Sequence, residues 1–267
     1  PGAASMSAQN EQGAGGLCLW AGLGQRGFRD RLEIVLSDNG SCAHTASIAE
    51  AAGAQVLRLP DAGNVASLRN AGASAARGEV LAFLDADMRM PEQWLEHALG
   101  LLAQGWHAVA LVNRPPSGAP AWLRIWESRN TVAELRSRDF LTTQNLVVSR
   151  EAFDSIGGFD QALGSGEDKD FTVRLSARRW RCALSPALQA EHLGAERTLV
   201  EFSRKEWWRQ REALALAAKH GFPVRLVRFP VVALAIFWLL LLALVLLPVE
   251  PRLFPAAFFP AVVAGFV

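Results

Sequence analysis

Short apolar segments alternate with helix-like ones along the first two thirds of the chain. The segments short enough for strands lie at residues 32–36, 55–59, 80–84, 108–112, 141–149 and 181–184. The segments typical of helices lie at residues 45–52, 65–76, 91–104, 122–135, 150–156, 167–179 and 199–220. The run at 80–84 is apolar without interruption, as in a strand buried on both faces of a parallel sheet. This alternation predicts an α/β domain with a mostly parallel sheet flanked by helices.

A longer apolar run follows at residues 231–247, which carry no charge. As a helix with a rise of about 1.5 Å per residue it would be about 26 Å long, close to the ~30 Å hydrocarbon core of a bilayer. A buried core helix is the alternative. We predict an α/β domain at 1–195, a basic juxtamembrane segment at 196–229, a transmembrane helix at 230–248, and a loop with a second, incomplete apolar segment at 249–267.

Basic residues cluster before the apolar run, and by the positive-inside rule that side is cytoplasmic. They are Arg204, Lys205, Arg209, Arg211, Lys219, Arg225 and Arg228. Trp207 and Trp208 are candidates for the headgroup zone, or they pack on the domain in the ordinary way.

The overall composition excludes some function classes. Lys+Arg 27 against Asp+Glu 26 gives no basic field, so nucleic acid is not favoured as a partner. Cys18, Cys42 and Cys182 have neither metal-site nor disulfide spacing, which indicates a reducing compartment. Residues 1–5 lack a charged n-region, so we expect no signal peptide.

Two carboxylates directly follow the central predicted strand. Side chains alternate along a strand, so Asp85 and Asp87 leave the sheet edge on the same side. Ligands in open α/β sheets bind at the carboxyl ends of strands, and paired carboxylates there suit Mg²⁺ or Mn²⁺. A solvated acidic turn is the alternative.

Residues 22–27 match the dinucleotide-binding pattern G-x-G-x-x-G, but the next strand begins at residue 32. The interval leaves no room for the helix that such a site needs. We therefore do not expect a dehydrogenase.

The ordered motifs resemble the family 2 glycosyltransferases with the GT-A fold. The resemblance covers residues 8–220 and is carried by segments 33–41, 69–72, 81–87, 157–160, 166–171 and 190–192. It implies that Asp87 holds Mg²⁺ or Mn²⁺ at the diphosphate of a sugar donor, and that Asp85 either assists Asp87 or contacts the ribose of the donor. It also implies that His192 completes the metal shell or contacts the diphosphate, unless it is a structural histidine.

The same resemblance places further residues around the substrates. Asp38 and Arg69 lie at the nucleoside, with Asn10 and Glu11 nearby. The alternatives are a turn carboxylate for Asp38 and a solvated helix residue for Arg69. At the acceptor, Asp168 acts as general base and Glu167 positions the hydroxyl. The alternative for this pair is a set of helix N-terminal acids favoured by the macrodipole, which is also the simplest interpretation of Asp170.

The chain departs from the family in three places. Residues 4–11 form a polar first strand without the usual proline, and residues 41–45 differ from the usual Ser-Thr-Asp-Gly-Thr. No Gln-x-x-Arg-Trp is present, although the processive members of the family carry it. The resemblance therefore implies transfer of single sugars.

The sequence predicts an inverting, metal-dependent glycosyltransferase of the hexosyltransferase type. Its expected partners are a nucleotide-sugar donor, a glycan or lipid-linked acceptor and a membrane, without nucleic acid. We expect it at the bacterial inner membrane, with the catalytic domain cytoplasmic and a role in envelope polysaccharide or glycolipid synthesis. The alternative is a catalytically degenerate nucleotide-binding or membrane-complex scaffold protein. A nucleotidyltransferase is disfavoured because residues 12–16 lack basic side chains.

Overall fold

The computed structural model describes residues 2–8, 32–41, 43–128, 131–138, 140–221 and 238–239. Its strands are β1 Gly2–Ala8, β2 Glu33–Asp38, β3 Gln55–Arg58, β4 Val80–Asp85, β5 Met88–Arg89, β6 Ala108–Arg114, β7 Arg136–Ser137, β8 Asn145–Ser149 and β9 Cys182–His192. Its helices are α1 Ala43–Ala51, α2 Val65–Ala75, α3 Trp94–Ala103, α4 Ala121–Ser128, α5 Arg150–Ser155, α6 Glu167–Ala177, α7 Leu199–Gln210 and α8 Ala213–Lys219. The predicted α/β class is confirmed.

The strands form one sheet in the order β3-β2-β1-β4-β8-β6-β9-β5, with β7 paired to β9. The pairs β3–β2, β2–β1, β1–β4 and β6–β9 are parallel, and the other four pairs are antiparallel. The sheet is therefore mixed, and the prediction of a mostly parallel sheet was wrong. The physical reason is β8, which inserts antiparallel between β4 and β6. Its buried apolar residues have the same pattern as those of a parallel strand.

The register of the parallel strands places the predicted acidic residues at one edge. Ala8 of β1 is the partner of Asp38 at the end of β2, and Ser7 is the partner of Asp85 at the end of β4. Three neighbouring strands thus end level with one another. The polar sequence of β1 does not prevent its backbone from pairing on both sides.

The sheet separates two apolar cores because successive side chains of a strand point to opposite faces. Leu36 and Leu84 pack with Trp94 of α3 on one face. Val35 and Phe83 pack on the other face with helices α2, α5 and α6. A ring cluster occupies this second core: Phe83, Phe153, Phe159 and Phe171, with centroids 4.3–5.8 Å apart between contacting rings.

The turn before α6 is tied to two helices. The Asn70 side chain of α2 donates to the Phe159 carbonyl at 2.8 Å and accepts from the Phe159 N–H at 2.9 Å. Arg174 of α6 donates to the carbonyls of Ile156 and Gly158, at 2.7 Å each. Asp170 is completely buried and receives the Arg174 Nε–H at 2.6 Å. Asp170 is therefore more than one of the acids in the first turn of α6, because it also orients the Arg174 side chain that binds the turn.

Three predicted elements end elsewhere. The helix predicted at 122–135 ends at Ser128. The strand predicted at 181–184 continues to His192, since an irregularity in its pairing with β6 accommodates residues 186–188. The helix predicted at 199–220 is divided into α7 and α8.

The chain separates into two compact units, Pro1–Arg204 and Lys205–Val267. The transmembrane helix predicted at 230–248 lies outside the described residues except for Trp238 and Leu239. The segment 249–267 also lies outside them. Among the described residues, no helix has both the length and the apolar character needed to cross a bilayer.

The turn before α6 contains two adjacent glycines, and they provide a matched test of how tightly this turn is packed. Gly157 and Gly158 have φ angles of +74° and +73°. A Cβ at Gly158 would lie 2.6 Å from Asn70 Oδ1 and 2.9 Å from Phe153 Cζ, whereas a Cβ at Gly157 meets nothing within 4 Å. We expect Gly158→Ala to lower the free energy of unfolding by about 1–3 kcal/mol more than Gly157→Ala, measured by urea unfolding. Equal losses would show that backbone strain alone sets the cost.

Candidate active site

Asp38 ends β2 as a buried carboxylate that closes the following turn. Its Oδ1 accepts the Ser41 N–H at 2.8 Å. This contact is the turn role that the sequence left open. The hydrogen bond to Ser41 uses only Oδ1 of Asp38. The predicted contact of Asp38 with the nucleoside stays a prediction.

Asp87 and His192 are brought together by the short strand β5. Met88 of β5 pairs with His192 of β9, and the Leu193 N–H donates to the Asp87 carbonyl at 2.8 Å. The side chains then meet, with His192 Nε2 3.0 Å from Asp87 Oδ2. Burial alone lowers the pKa of His192, but the hydrogen bond and the charges of Asp87 and Asp85 outweigh it and raise the pKa. The predicted metal pair thus exists as a contact between residues 105 positions apart.

Gly194 leaves space for the Asp87 carboxylate. A Cβ at residue 194 would lie 2.0 Å from Asp87 Oδ2, closer than any non-bonded carbon can approach. The φ angle of Gly194 lies outside the left-handed region, so its backbone conformation does not require glycine. Glycine is needed here because any side chain would collide with the Asp87 carboxylate.

Arg69 of α2 is 4% exposed and joins the two predicted acidic pairs. Its Nη2 donates to Asp85 Oδ1 at 3.0 Å, and its Nη1 donates to Glu167 Oε1 at 2.5 Å. The guanidinium also lies over the Phe159 ring, 5.6 Å from the centroid. Burial alone lowers the pKa of Arg69, but the charges and hydrogen bonds of both carboxylates outweigh it and raise the pKa. The side chain is therefore a permanent cation between the Asp85–Asp87 edge and the start of α6.

Asp168 follows Glu167 in the first turn of α6, which begins after Gly166 in the left-handed conformation, φ +77°. Its Oδ1 accepts its neighbour's N–H, that of Lys169, at 2.7 Å. Burial and the adjacent Glu167 charge raise the pKa of Asp168 to about 6, although the charges of Lys169 and Arg69 act in the opposite direction. A carboxylate with this pKa is suited to accept a proton near neutral pH.

A network of amides beside His192 was not predicted from the sequence. Gln144 Nε2 lies 3.4 Å from His192 Nε2, and its Oε1 accepts from Asn113 at 2.6 Å. Asn145 donates to Asn113 and accepts the Leu111 N–H at 2.6 Å. The signal was available, because residues 142–145 place four polar side chains inside a segment predicted as one strand.

The predicted residues fall into four groups by outcome. Asp85, Arg69 and Glu167 form one connected cluster, with Asp168 next to Glu167. Asp87 and His192 form a second contact, and Asp38 ends a neighbouring strand. Asn10 and Glu11 lie outside the described residues.

The donor atoms at Asp87 and His192 fit a divalent cation in chemical type. A carboxylate oxygen and an imidazole nitrogen are both ligands of Mn²⁺, and Mg²⁺ accepts one or two carboxylates together with substrate phosphates. The described part of the chain contains no group of three or more His, Cys, Asp or Glu residues arranged to hold a metal. Among the described residues, Asp87 and His192 are therefore the ligands that such a cation would have.

Comparison with known proteins agrees with these features. The sequence pattern of Glycosyl transferase family 2 matches residues 6–160. The pre-mycofactocin glycosyltransferase of Mycobacterium tuberculosis is 28% identical over 60% of this chain and 37% of its own length. Glycosyltransferase AglE of Haloferax volcanii is 28% identical over 59% of this chain and 55% of its own length. The chain thus spans only part of the curated relatives it matches.

Solved structures share the fold. TarS 1–349 of S. aureus in complex with UDP-GlcNAc has a TM-score of 0.60 at 17% identity, covering 74% of this chain and 60% of that one. GalNAc-T7 with UDP, GalNAc and Mn²⁺ has a TM-score of 0.57 at 18% identity, covering 76% of this chain and 47% of that one. The predicted GT-A-like fold is confirmed, with a mixed sheet.

The Arg69–Glu167 contact is testable by a double-mutant cycle. Removing one member leaves a buried charge unpaired, so Arg69→Ala is expected to cost about 3–5 kcal/mol in the free energy of unfolding. Combined with Glu167→Gln, the deviation from additivity should be about 1–3 kcal/mol, read by urea unfolding.

A control cycle pairs Glu167→Gln with Arg89→Ala, because Arg89 bonds Glu191 instead. This cycle should be additive within about 0.5 kcal/mol. If the Arg69 cycle were equally additive, the bridge between the two acidic pairs would be absent in solution.

Proposed function

This chain belongs to Glycosyl transferase family 2, and on that premise we propose that it moves one sugar from a nucleotide-diphosphate sugar to a hydroxyl acceptor, with inversion at the sugar carbon. The observation that carries the proposal is the Arg69 bridge. A single buried guanidinium contacts Asp85, beside the predicted metal residues, and Glu167, beside the predicted base. The proposed donor and acceptor carboxylates therefore contact the same guanidinium, and a direct transfer requires this proximity.

On the donor side, Asp87 and His192 would hold a divalent cation. Such a cation would neutralise the charge that develops on the nucleoside diphosphate as it leaves. Mn²⁺ accompanies UDP in the GalNAc-T7 structure, which supports a metal of this type here. The neighbouring Asp85 assists at the donor, as the family resemblance implies, and its ion pair with Arg69 also holds the guanidinium at this edge. The family resemblance supports Asp38, Asn10 and Glu11 as nucleoside contacts.

On the acceptor side, Asp168 takes the proton of the attacking hydroxyl. The acceptor oxygen then forms its bond to the anomeric carbon as the bond from that carbon to the diphosphate oxygen breaks. Attack from the face opposite to the leaving group inverts the carbon. Glu167 holds the first turn of α6 through Arg69 and, by the family resemblance, positions the acceptor.

Several finer points of the proposal are supported by sequence and by relatives. The UDP-GlcNAc complex of TarS supports a UDP-sugar donor. The missing Gln-x-x-Arg-Trp motif supports single-sugar transfer. The basic segment before residues 231–247 supports an inner-membrane location with the catalytic domain cytoplasmic, and a role in envelope polysaccharide or glycolipid synthesis. The scaffold alternative was motivated by a polar first strand, yet β1 pairs in register with β2 and β4.

The direct test is a donor screen that measures nucleoside diphosphate release with Mn²⁺, a panel of sugar nucleotides and a membrane lipid extract. We expect release from one donor class, stimulated by the extract and abolished in Asp87→Ala. Binding of nucleoside diphosphate without turnover from any donor would favour the scaffold alternative. If the wild-type protein neither bound a nucleoside diphosphate nor released one from any donor, the proposal would be refuted.

The pKa of Asp168 predicts the pH dependence of transfer. The base acts only when deprotonated, so kcat/KM should fall about tenfold for each pH unit below about 6 and level off above it. Glu167→Gln removes a charge that raises this pKa, so the acidic limb should move to lower pH. Asp168→Asn should lower the rate by about 10²–10⁴-fold. An acidic limb unchanged in Glu167→Gln would show that another group is titrating.

The space at Gly194 predicts a metal defect with little effect on folding. A methyl group there displaces the Asp87 carboxylate, so Gly194→Ala should weaken Mn²⁺-dependent UDP binding by about 10- to 100-fold in calorimetry. Gly100 of α3 has nothing within 4 Å of its added Cβ, so Gly100→Ala is the matched control. Wild-type affinity in Gly194→Ala would exclude Asp87 from the metal site.

A further inference from the structure

Helix α4 and the first half of α7 expose an apolar surface, which we call the α4/α7 face. Its side chains are Trp122, Ile125, Trp126, Leu199, Val200 and Phe202. Phe202 joins the two helices, with its ring 5.3 Å from that of Trp122 and 4.9 Å from that of Trp126, both edge to face. The aliphatic members are open to solvent: Ile125 is 61% exposed, Leu199 60% and Val200 70%. Exposed apolar side chains beside an aromatic contact between two helices indicate an interaction site.

This face lies close to the proposed metal residues. The segment that leads from β6 into α4 contacts the end of β9, where the Ser117 N–H donates to the Glu191 carboxylate at 3.4 Å. Glu191 directly precedes His192. At the other end of α4, Glu127 follows Trp126, and its charge is among those that raise the pKa of His192. The segment before α4 is thus tied to the strand that carries His192.

The charges around the face are mostly positive. Its exposed charged side chains are Arg124, Arg197, Arg204 and Glu201. Glu201 accepts the Arg197 N–H at 3.0 Å, at the start of α7. Three cations against one carboxylate complement an anionic surface. Aromatic and aliphatic side chains bordered by arginine are typical of elements that lie in the headgroup region of a bilayer.

We propose that the α4/α7 face lies on the surface of an anionic lipid bilayer and thereby presents the catalytic edge to a lipid-borne acceptor. The statement about the acceptor rests on the proposed function. The bilayer contact does not, and it can be tested without catalysis. The contact is separate from the predicted headgroup contacts of Trp207 and Trp208, because it uses side chains of the first compact unit.

The test attaches an environment-sensitive fluorophore to single cysteines in the full chain. Cys18 and Cys42 are replaced by serine, and the buried Cys182 is retained. Ile125→Cys carries the label on the face. Ile48→Cys is the matched control, since Ile48 is also an exposed isoleucine on a helix, α1, at 41%. Vesicles contain phosphatidylcholine with phosphatidylglycerol and a lipid whose acyl chain bears a nitroxide quencher.

We expect the label at residue 125 to shift to the blue and to be quenched by these vesicles, and the label at residue 48 to remain unchanged. Vesicles of phosphatidylcholine alone should quench residue 125 less. No quenching at residue 125, or equal quenching at both positions, would overturn the proposal. A label at residue 125 that is already blue-shifted without vesicles would also overturn it, because another part of the chain or a second copy would then cover the face.

A second measurement reads the acceptor. Ile125→Glu should lower transfer to a vesicle-borne lipid extract by about tenfold or more, with acceptor-independent nucleotide release unchanged. Ile48→Glu should affect neither. Equal transfer by Ile125→Glu and the wild type would overturn the acceptor part of the proposal. Absence of nucleotide release in the wild type would instead refute the proposed function, while the quenching result would still report on the face.

Discussion

The buried cation of Arg69 is the constraint on which the rest of the site depends. Asp85 and Glu167 come from distant parts of the chain, and two carboxylates in a partly buried site repel each other unless a counter-charge lies between them. The guanidinium provides one with two separate donors, and its planar fork reaches both at once. Such a pair adds little net stability relative to apolar packing, but removing one member is costly. The bridge therefore fixes geometry more than it stabilises the fold.

The framework around Arg69 explains how this geometry is held. The next residue, Asn70, binds both backbone groups of Phe159, and Arg174 binds the same turn from α6. The phenylalanine cluster packs beneath, and Phe159 also lies under the guanidinium. One helix, α2, thus supplies both the cation and the amide that locks the turn. A displacement of α2 would therefore disturb the contacts of both Asp85 and Glu167.

Sequence reasoning found the residues of this site better than their contacts. The Asp-x-Asp spacing after an apolar strand indicated Asp85 and Asp87, whereas Glu167 and Asp168 were identified only through the family resemblance. The bridge itself joins residues 98 positions apart, and no local pattern encodes such a pairing. The direction of β8 was missed for a similar reason, since burial on both faces gives parallel and antiparallel strands the same composition. Asn113, Gln144 and Asn145 were missed because their role appears only when β6 and β8 pair.

The most direct measurement is a crystal structure of the protein with UDP and Mn²⁺. We expect Mn²⁺ to be bound by Asp87 and the diphosphate, with Arg69 still joining Asp85 to Glu167 and the Asp168 carboxylate facing the position of the donor sugar. A diphosphate bound away from Asp87 would contradict this interpretation. So would an Arg69 side chain that leaves Glu167 while the nucleotide is bound, because the guanidinium would then not hold both halves of the site.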